Sequence, residues 1–180
     1  DISYSQYLGL DNLLQQHPRS GQHDEMLFII VHQTSELWMK LCLHEAFAAT
    51  QMIAADHLRP AFKMLTRIAR VQEQLIDVWS VLVTMTPADY ASFRPSLGQS
   101  SGFQSYQYRR LEFLLGNKNT QIIEVHRHHA THYKILQQTL QAPSLYDICL
   151  QLLSQRGFKI PLSHLQRDWS QPYTAHNEVE

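Results

Sequence analysis

The chain has 180 residues, which is enough for one domain. Folding a chain of this length buries roughly 70% of its unfolded surface. Only 17% of the residues are charged, 44% are hydrophobic and the formal net charge is −1, so nothing marks a nucleic-acid partner or binding to a membrane surface. The longest apolar run is too short to cross a bilayer. Cys42 and Cys149 lie in apolar helical patterns and are predicted to be free thiols in a reducing compartment.

Residues 1–22 are predicted to form an N-terminal arm that contains a short helix. The helix brings Tyr4, Tyr7 and Leu8 near one another. Tyrosines on a terminal arm suit docking onto another surface, because each offers apolar area with a hydroxyl at its end. Packing against the chain's own core fits the pattern equally well. Residues 17–21 are predicted to form a turn.

A long central helix is predicted from residue 24 to about residue 55. Its first turn is acidic, which suits the positive end of the helix dipole, and residues 26–31 are all apolar. More than one face of this stretch must therefore be covered by protein or ligand. Phe28 and His32 are one turn apart on the same face. The pair indicates either a core histidine that bonds a neighbouring carbonyl, or a pocket wall with an aromatic surface and a polar contact.

A second long helix is predicted with Pro60 in its first turn. Its apolar positions recur at alternating spacings of three and four, which predicts a bundle seam with Trp79 in the core. Contact of Trp79 with a ligand is the alternative. The seam residues are Phe62, Leu65, Ala69, Gln72, Ile76, Trp79 and Val83.

A short helix follows. Residues 86–89 supply a threonine cap, a proline at the first helical position and an aspartate three residues after the cap, and Pro95 ends the helix. Tyr90 and Arg94 lie one turn apart on it, and Arg94 is predicted to have either a buried anionic partner or an exposed end. The small-residue loop 98–102 either meets an anionic group through its N–H groups or simply turns the chain.

Three further features complete the chain. A helix is predicted over residues 103–115, and a final helix begins after the cap Ser144. Between them, His128 and His132 have a spacing that a surface metal can use, but no third ligand stands at a dependable spacing. Residues 124–132 are therefore predicted to be a solvated face. With no strand pattern, repeat or glycine-rich phosphate motif, the fold class is all-α, a helical bundle.

Eight strings of residues stand out in order along the chain. They are Tyr4-Ser5-Gln6-Tyr7-Leu8, His23-Asp24-Glu25-Met26-Leu27-Phe28-Ile29-Ile30, His32-Gln33-Thr34-Ser35-Glu36-Leu37-Trp38, Phe93-Arg94, Ser100-Ser101-Gly102-Phe103-Gln104-Ser105, Leu114-Leu115-Gly116-Asn117-Lys118-Asn119, Ala142-Pro143-Ser144-Leu145-Tyr146 and Arg167-Asp168-Trp169. Together they resemble the tryptophan 2,3-dioxygenase family, whose members use haem to open the indole ring of L-tryptophan.

The resemblance implies a haem-dioxygenase type of helical bundle that is incomplete at its C-terminus, with the arm at 1–22 and a partial catalytic domain at 23–180. It implies insertion of O2 into L-tryptophan to give N-formylkynurenine, in tryptophan catabolism through the kynurenine pathway. Haem b with ferrous iron is the implied cofactor, and a cytoplasmic homotetramer the implied assembly. The alternative is a truncated or related helical protein that keeps the tryptophan pocket wall without binding haem or catalysing.

Roles for individual residues also come from the resemblance. His32 is similar to the distal histidine that accepts the indole N–H, Phe28 to the aromatic that packs on the indole, and Arg94 to the arginine that binds the substrate carboxylate. No metal ligand is expected here, because the family's proximal histidine, like a loop that closes over the substrate ammonium, lies beyond residue 180. The other implied substrate contacts are Tyr90, Leu97, Tyr4, Tyr7 and Leu8, and the implied cofactor contacts are Trp79, Ser101 and Gly102.

Overall fold

The computed structural model describes residues 2–17, 20–175 and 179. Within these ranges it contains nine α-helices, three short 3-10 helices and no strand, which confirms the all-α prediction. No helix of this part of the chain is long and apolar enough to cross a membrane. The predicted turn at 17–21 includes Pro18 and Arg19, which lie outside the described residues. The α-helices are α1 (Tyr4–Leu8), α2 (Leu10–Leu13), α3 (His23–Ala54), α4 (Leu58–Leu82), α5 (Pro87–Phe93), α6 (Tyr106–Leu115), α7 (Ala130–Gln141), α8 (Leu145–Gln155) and α9 (Leu162–Leu165). The 3-10 helices are Arg94–Leu97, Gly102–Gln104 and Thr120–His126.

The chain divides into two compact units that are each discontinuous in sequence. The first joins the residues up to Ser35 with Leu75–Ser100, and the second joins Glu36–Gln74 with the residues from Ser101 onward. The two long helices, α3 and α4, therefore contribute to both units. The predicted boundary after residue 22 is not tested by this division and stays a prediction.

Small side chains line the buried stripe of α3 in the second unit. Cys42, Ala46 and Ala49 are fully buried, at positions i, i+4 and i+7 of one face. Both cysteines are free thiols, as predicted. Burial raises the pKa of Cys42 to about 11, so this thiol stays protonated near neutral pH.

A buried ion pair joins the start of α8 to the segment after α9. Asp147 is 2% exposed and accepts hydrogen bonds from Arg167 Nε at 2.7 Å and Arg167 Nη2 at 2.9 Å. The same carboxylate accepts from the Ser144 N–H and hydroxyl, which completes a capping box at the predicted start of the helix. Nearby, Lys118 Nζ donates to the last carbonyls around the end of α7, at 2.6–3.1 Å.

The seam predicted for α4 is wrong. Trp79 is 58% exposed, and the buried positions of α4 are Ala61, Ile68 and Val71. The helix has apolar residues on two sides, and spacing alone does not say which side meets the core. Ala61 belongs to a core cluster with Ile148 of α8, where a methyl side chain allows close approach. Phe62, Ile76, Trp79 and Val83 from the predicted seam are exposed.

The helix predicted over 103–115 begins later than expected. The Ser101 side chain caps the 3-10 helix Gly102–Gln104, and the Ser105 hydroxyl then accepts from the Tyr108 N–H at 3.1 Å to cap α6. Serine side chains offer the backbone a local alternative to a continuous helix, so the two caps divide the segment. Gly116 ends α6 at φ 106°, as predicted.

The prediction of a solvated face at residues 124–132 is wrong for His126, which is 3% exposed. Burial, with smaller contributions from nearby histidines and Arg109, lowers the pKa of His126. His129 caps α7 and stacks on His132 with ring centroids 3.5 Å apart. His128 lies before α7, and the described residues contain no group of three or more His, Cys, Asp or Glu that could hold a metal ion.

Candidate functional site

Four ring side chains form a cluster in the first unit. The Phe28 ring lies 4.1 Å from the His32 ring, 5.9 Å from Tyr90 and 5.5 Å from Phe93, centroid to centroid. Tyr90 meets Phe93 edge-on at 5.5 Å. Phe93 is 1% exposed, while the other three are half-buried. The cluster therefore joins α3 to α5 and leaves part of Phe28, His32 and Tyr90 open to a ligand.

The helix that carries His32 fixes its tautomer. His32 Nδ1 lies 2.7 Å from the Phe28 carbonyl oxygen, one turn earlier. A carbonyl oxygen only accepts, so Nδ1 must carry the proton in this hydrogen bond. In the neutral ring Nε2 is then an acceptor. The two alternatives predicted for His32 are therefore compatible: its Nδ1 bonds a neighbouring carbonyl, and its Nε2 is left to contact a ligand.

Arg94 has the exposed end that was one of its two predicted environments. It follows the last residue of α5, where its backbone N–H donates to the Tyr90 carbonyl. Its side chain is exposed, and Nη1 donates to the Gly98 carbonyl at 3.0 Å. The other guanidinium donors are oriented by this contact and suit a planar carboxylate. Leu97 is half-buried in the same 3-10 helix.

Glu25 makes a connection that the sequence pattern did not indicate. It is 4% exposed, and its Oε2 accepts from the Ser20 N–H at 3.0 Å and from the Ser20 hydroxyl. Its Oε1 accepts from the Ser96 hydroxyl at 3.1 Å. These hydrogen bonds outweigh burial and lower the pKa of Glu25, with the bond from Ser20 the largest cause. The carboxylate is therefore charged and ties the start of α3 to the segment that carries Arg94.

The remaining predicted contacts lie away from the cluster or in the other unit. Tyr4, Tyr7 and Leu8 of α1 are 76%, 76% and 46% exposed, which suits a docking arm and equally a free one. Ser101 and Gly102 belong to the second unit, so their part in the pocket stays a prediction. A hollow of about 580 Å³ opens beside Glu25, and none of the predicted site residues lines it.

Taken together, the fold and the cluster define a class: an all-α protein in which an aromatic–imidazole pair on the long helix α3 packs against the short helix α5, and an arginine follows the last residue of α5. The sequence comparisons are more specific. A family model described as tryptophan 2,3-dioxygenase matches residues 1–180. The chain belongs to the tryptophan 2,3-dioxygenase family.

Relatives of the same name support this assignment. The chain is 54% identical to the tryptophan 2,3-dioxygenase of Cupriavidus necator over 98% of its length, and 55% identical to that of Bordetella pertussis over 100%. It is 57% identical to that of Burkholderia pseudomallei over 99%. The matched region spans 60%, 64% and 59% of these relatives' own lengths, respectively.

The residues on the exposed face of α4 can be compared with what a haem requires. A macrocycle needs an apolar wall, and Ile76 and Trp79, at 70% and 58% exposure, supply one near the end of α4. These two exposed apolar side chains are of the kind that packs against one face of such a macrocycle.

Proposed function

We propose that the protein carrying this chain is a haem-dependent dioxygenase that inserts O2 into the indole ring of L-tryptophan to give N-formylkynurenine, as part of tryptophan catabolism through the kynurenine pathway. Its partners are L-tryptophan, O2 and further copies of itself in a homotetramer, in the cytoplasm. Family membership supports the reaction. The single observation on this chain that carries the proposal is the hydrogen bond from His32 Nδ1 to the Phe28 carbonyl, because it leaves Nε2 as an acceptor beside an aromatic ring.

His32 Nε2 accepts the indole N–H in this proposal, while Phe28 packs against the indole ring. A ligand without an N–H would cover that acceptor and leave it unpaired, which costs about 1–3 kcal/mol and selects for indole. The carboxylate of the amino acid binds the guanidinium of Arg94 through parallel N–H···O bonds, which fix its orientation as well as its charge. Tyr90 and Leu97 line the space between the two anchors.

Ferrous haem, when bound, supplies the activation of dioxygen. Trp79, Ser101 and Gly102 would contact it. The exposed tyrosines Tyr4 and Tyr7, with Leu8, would reach the pocket of a neighbouring subunit. This chain's own contribution is to bind the amino acid, orient its indole and exclude water from it.

The proposal is tested with the full-length protein reconstituted with haem. The haem iron is reduced to the ferrous state, and L-tryptophan and O2 are then supplied as substrates. Formation of N-formylkynurenine, with one O2 consumed per tryptophan, is the expected result. A protein that binds haem and tryptophan without forming this product would contradict the enzymatic function and favour a ligand-binding relative.

A further inference from the structure

Arg94 is held at both sides although its own side chain is exposed. The residue before it, Phe93, is 1% exposed and packs against Phe28 of α3. Two residues after it, the Ser96 hydroxyl reaches the Glu25 carboxylate, 71 positions away in the sequence. The main chain at Arg94 is therefore fixed relative to α3 by an apolar contact on one side and a polar contact on the other.

The polar contact depends on the charge of Glu25. The Ser96 hydroxyl lies 3.1 Å from Glu25 Oε1 and 2.7 Å from the Phe93 carbonyl oxygen, and its single proton serves one of them at a time. The Phe93 carbonyl is the nearer acceptor, whereas the carboxylate gains its attraction for the hydroxyl from its charge, so neutralising Glu25 would leave the Ser96 proton with the Phe93 carbonyl. Ser20 holds the other carboxylate oxygen through its N–H and its hydroxyl, so Glu25 has little freedom to turn away.

We propose that Glu25 is a positioning residue for Arg94: through Ser96 it sets the distance between the guanidinium and the Phe28–His32 pair, and so selects a ligand in which a carboxylate and an indole have the spacing found in tryptophan. This inference rests on the proposed function, since it assigns a role in the recognition of that substrate. In this role Glu25 acts through Ser96 and Arg94 and not by contact with the substrate.

The variants Glu25→Gln and Ser96→Ala remove the two ends of the contact. Two matched controls remove the same kinds of group nearby. Asp24→Asn neutralises the neighbouring first-turn carboxylate of α3, and Ser92→Ala removes a hydroxyl that donates to the Asp89 carbonyl, three residues earlier, at 2.6 Å. If Glu25→Gln fails to fold, Ser96→Ala still tests the contact. Ser96 is exposed, and replacing it leaves the buried Glu25 carboxylate and its hydrogen bonds from Ser20 in place.

The experiment measures kcat and KM for L-tryptophan in the full-length enzyme, and the binding of L-tryptophan and tryptamine, which lacks the carboxylate. Both variants are expected to raise KM for L-tryptophan about tenfold with kcat changed less than about twofold, and the double variant to do no more than either one. Binding of tryptamine should stay within about twofold of the parent, since it has no group for Arg94 to hold. The controls should match the parent.

An equal loss of affinity for tryptophan and tryptamine, or a fall in kcat with KM unchanged, would overturn the positioning role and leave Glu25 as a structural residue. Parent-like values in both variants would overturn it as well. If the parent itself makes no N-formylkynurenine, the proposed reaction fails, whereas the ratio of tryptophan to tryptamine affinity still decides the role of Glu25.

Discussion

His32 shows how one hydrogen bond prepares a side chain for recognition. Its Nδ1 donates to the Phe28 carbonyl, so Nε2 is presented as an acceptor at the edge of the ring cluster. A backbone carbonyl in a helix does not move with the ligand. The tautomer is therefore set before anything binds, and no ligand energy is spent on setting it.

The first prediction concerns this acceptor. His32→Ala in the full-length enzyme should reduce kcat/KM for L-tryptophan much more than for 1-methyltryptophan, because only the former has an N–H for Nε2 to accept. Parallel steady-state measurements with the two substrates check this. Equal losses would show that His32 acts by packing against Phe28, which its ring contacts at 4.1 Å.

The second prediction concerns Arg94. Arg94→Ala should weaken kcat/KM for L-tryptophan by about 2–5 kcal/mol, since the bound substrate carboxylate would lose its charged partner. Arg70→Ala, which removes an exposed arginine paired with Glu73, is the control and should behave as the parent. An unchanged kcat/KM in Arg94→Ala would remove this residue from carboxylate binding.

At the scale of the element, the ends of several helices could be predicted from the sequence. Thr86 and Asp89 form the predicted capping box, and so do Ser144 and Asp147. These signals could be interpreted because each cap and its partner lie within three residues. The ends of α3 were also predicted closely: the observed helix, His23–Ala54, differs from the predicted one by one residue at each end.

Features with distant partners could not be predicted in this way. The Glu25–Ser96 bond joins residues 71 positions apart, and the first-turn position of Glu25 was already explained by the helix dipole. Which side of α4 faces the core is decided by the packing of Ala61 against α8. Periodicity alone could not identify that side, because α4 has apolar residues on a second side as well. The contact between Phe28 and His32 could be predicted from their spacing on one helix. The contacts of Phe28 with Tyr90 and Phe93 could not, because those residues lie on a different helix.

The third prediction concerns the start of α8. Burial by itself would raise the pKa of Asp147, but the hydrogen bonds from Arg167 and Ser144 bring it below its usual value. Because the folded pKa is lower than the unfolded one, the stability from this carboxylate is fully present above about pH 4 and is lost as the pH falls through the folded pKa. Asp147→Asn leaves Arg167 without its charged partner and should cost about 3–5 kcal/mol at neutral pH.

Urea unfolding from pH 7 to pH 3 measures this directly. The stability difference between the parent and Asp147→Asn should shrink as the pH drops below about 4, because the parent carboxylate then takes up a proton too. Asp77→Asn, at an exposed position of α4, serves as the control for a lost surface charge. A difference that stays constant over this range would mean that the charge of Asp147 does not contribute to stability.

At the scale of the whole molecule, the described chain leaves apolar side chains uncovered at the end of α4. Ile76 and Trp79 of α4 are 70% and 58% exposed, and Val83, the residue after the helix, is 76% exposed. Contiguous exposed apolar side chains mark a surface that something else covers. In the proposed enzyme Trp79 contacts the haem, and this assigns one part of that face to the cofactor.

The fourth prediction follows from that assignment. In the full-length protein, Trp79→Ala should release haem to an apoprotein acceptor severalfold faster than the parent, because an aromatic contact with the macrocycle is lost. Phe62→Ala is a matched control, since Phe62 is an aromatic residue of the same helix with 57% exposure and no assigned cofactor contact. Equal rates of haem loss in the two variants would exclude a specific role for Trp79.

The recognition of tryptophan by the Phe28–His32 pair and Arg94 is tested most directly by a crystal structure of the full-length protein with L-tryptophan bound. The indole nitrogen should lie about 3 Å from His32 Nε2, with the ring against Phe28 and the carboxylate on the Arg94 guanidinium. Tryptophan bound with its indole nitrogen turned away from His32, or with its carboxylate on another residue, would contradict this mode of recognition.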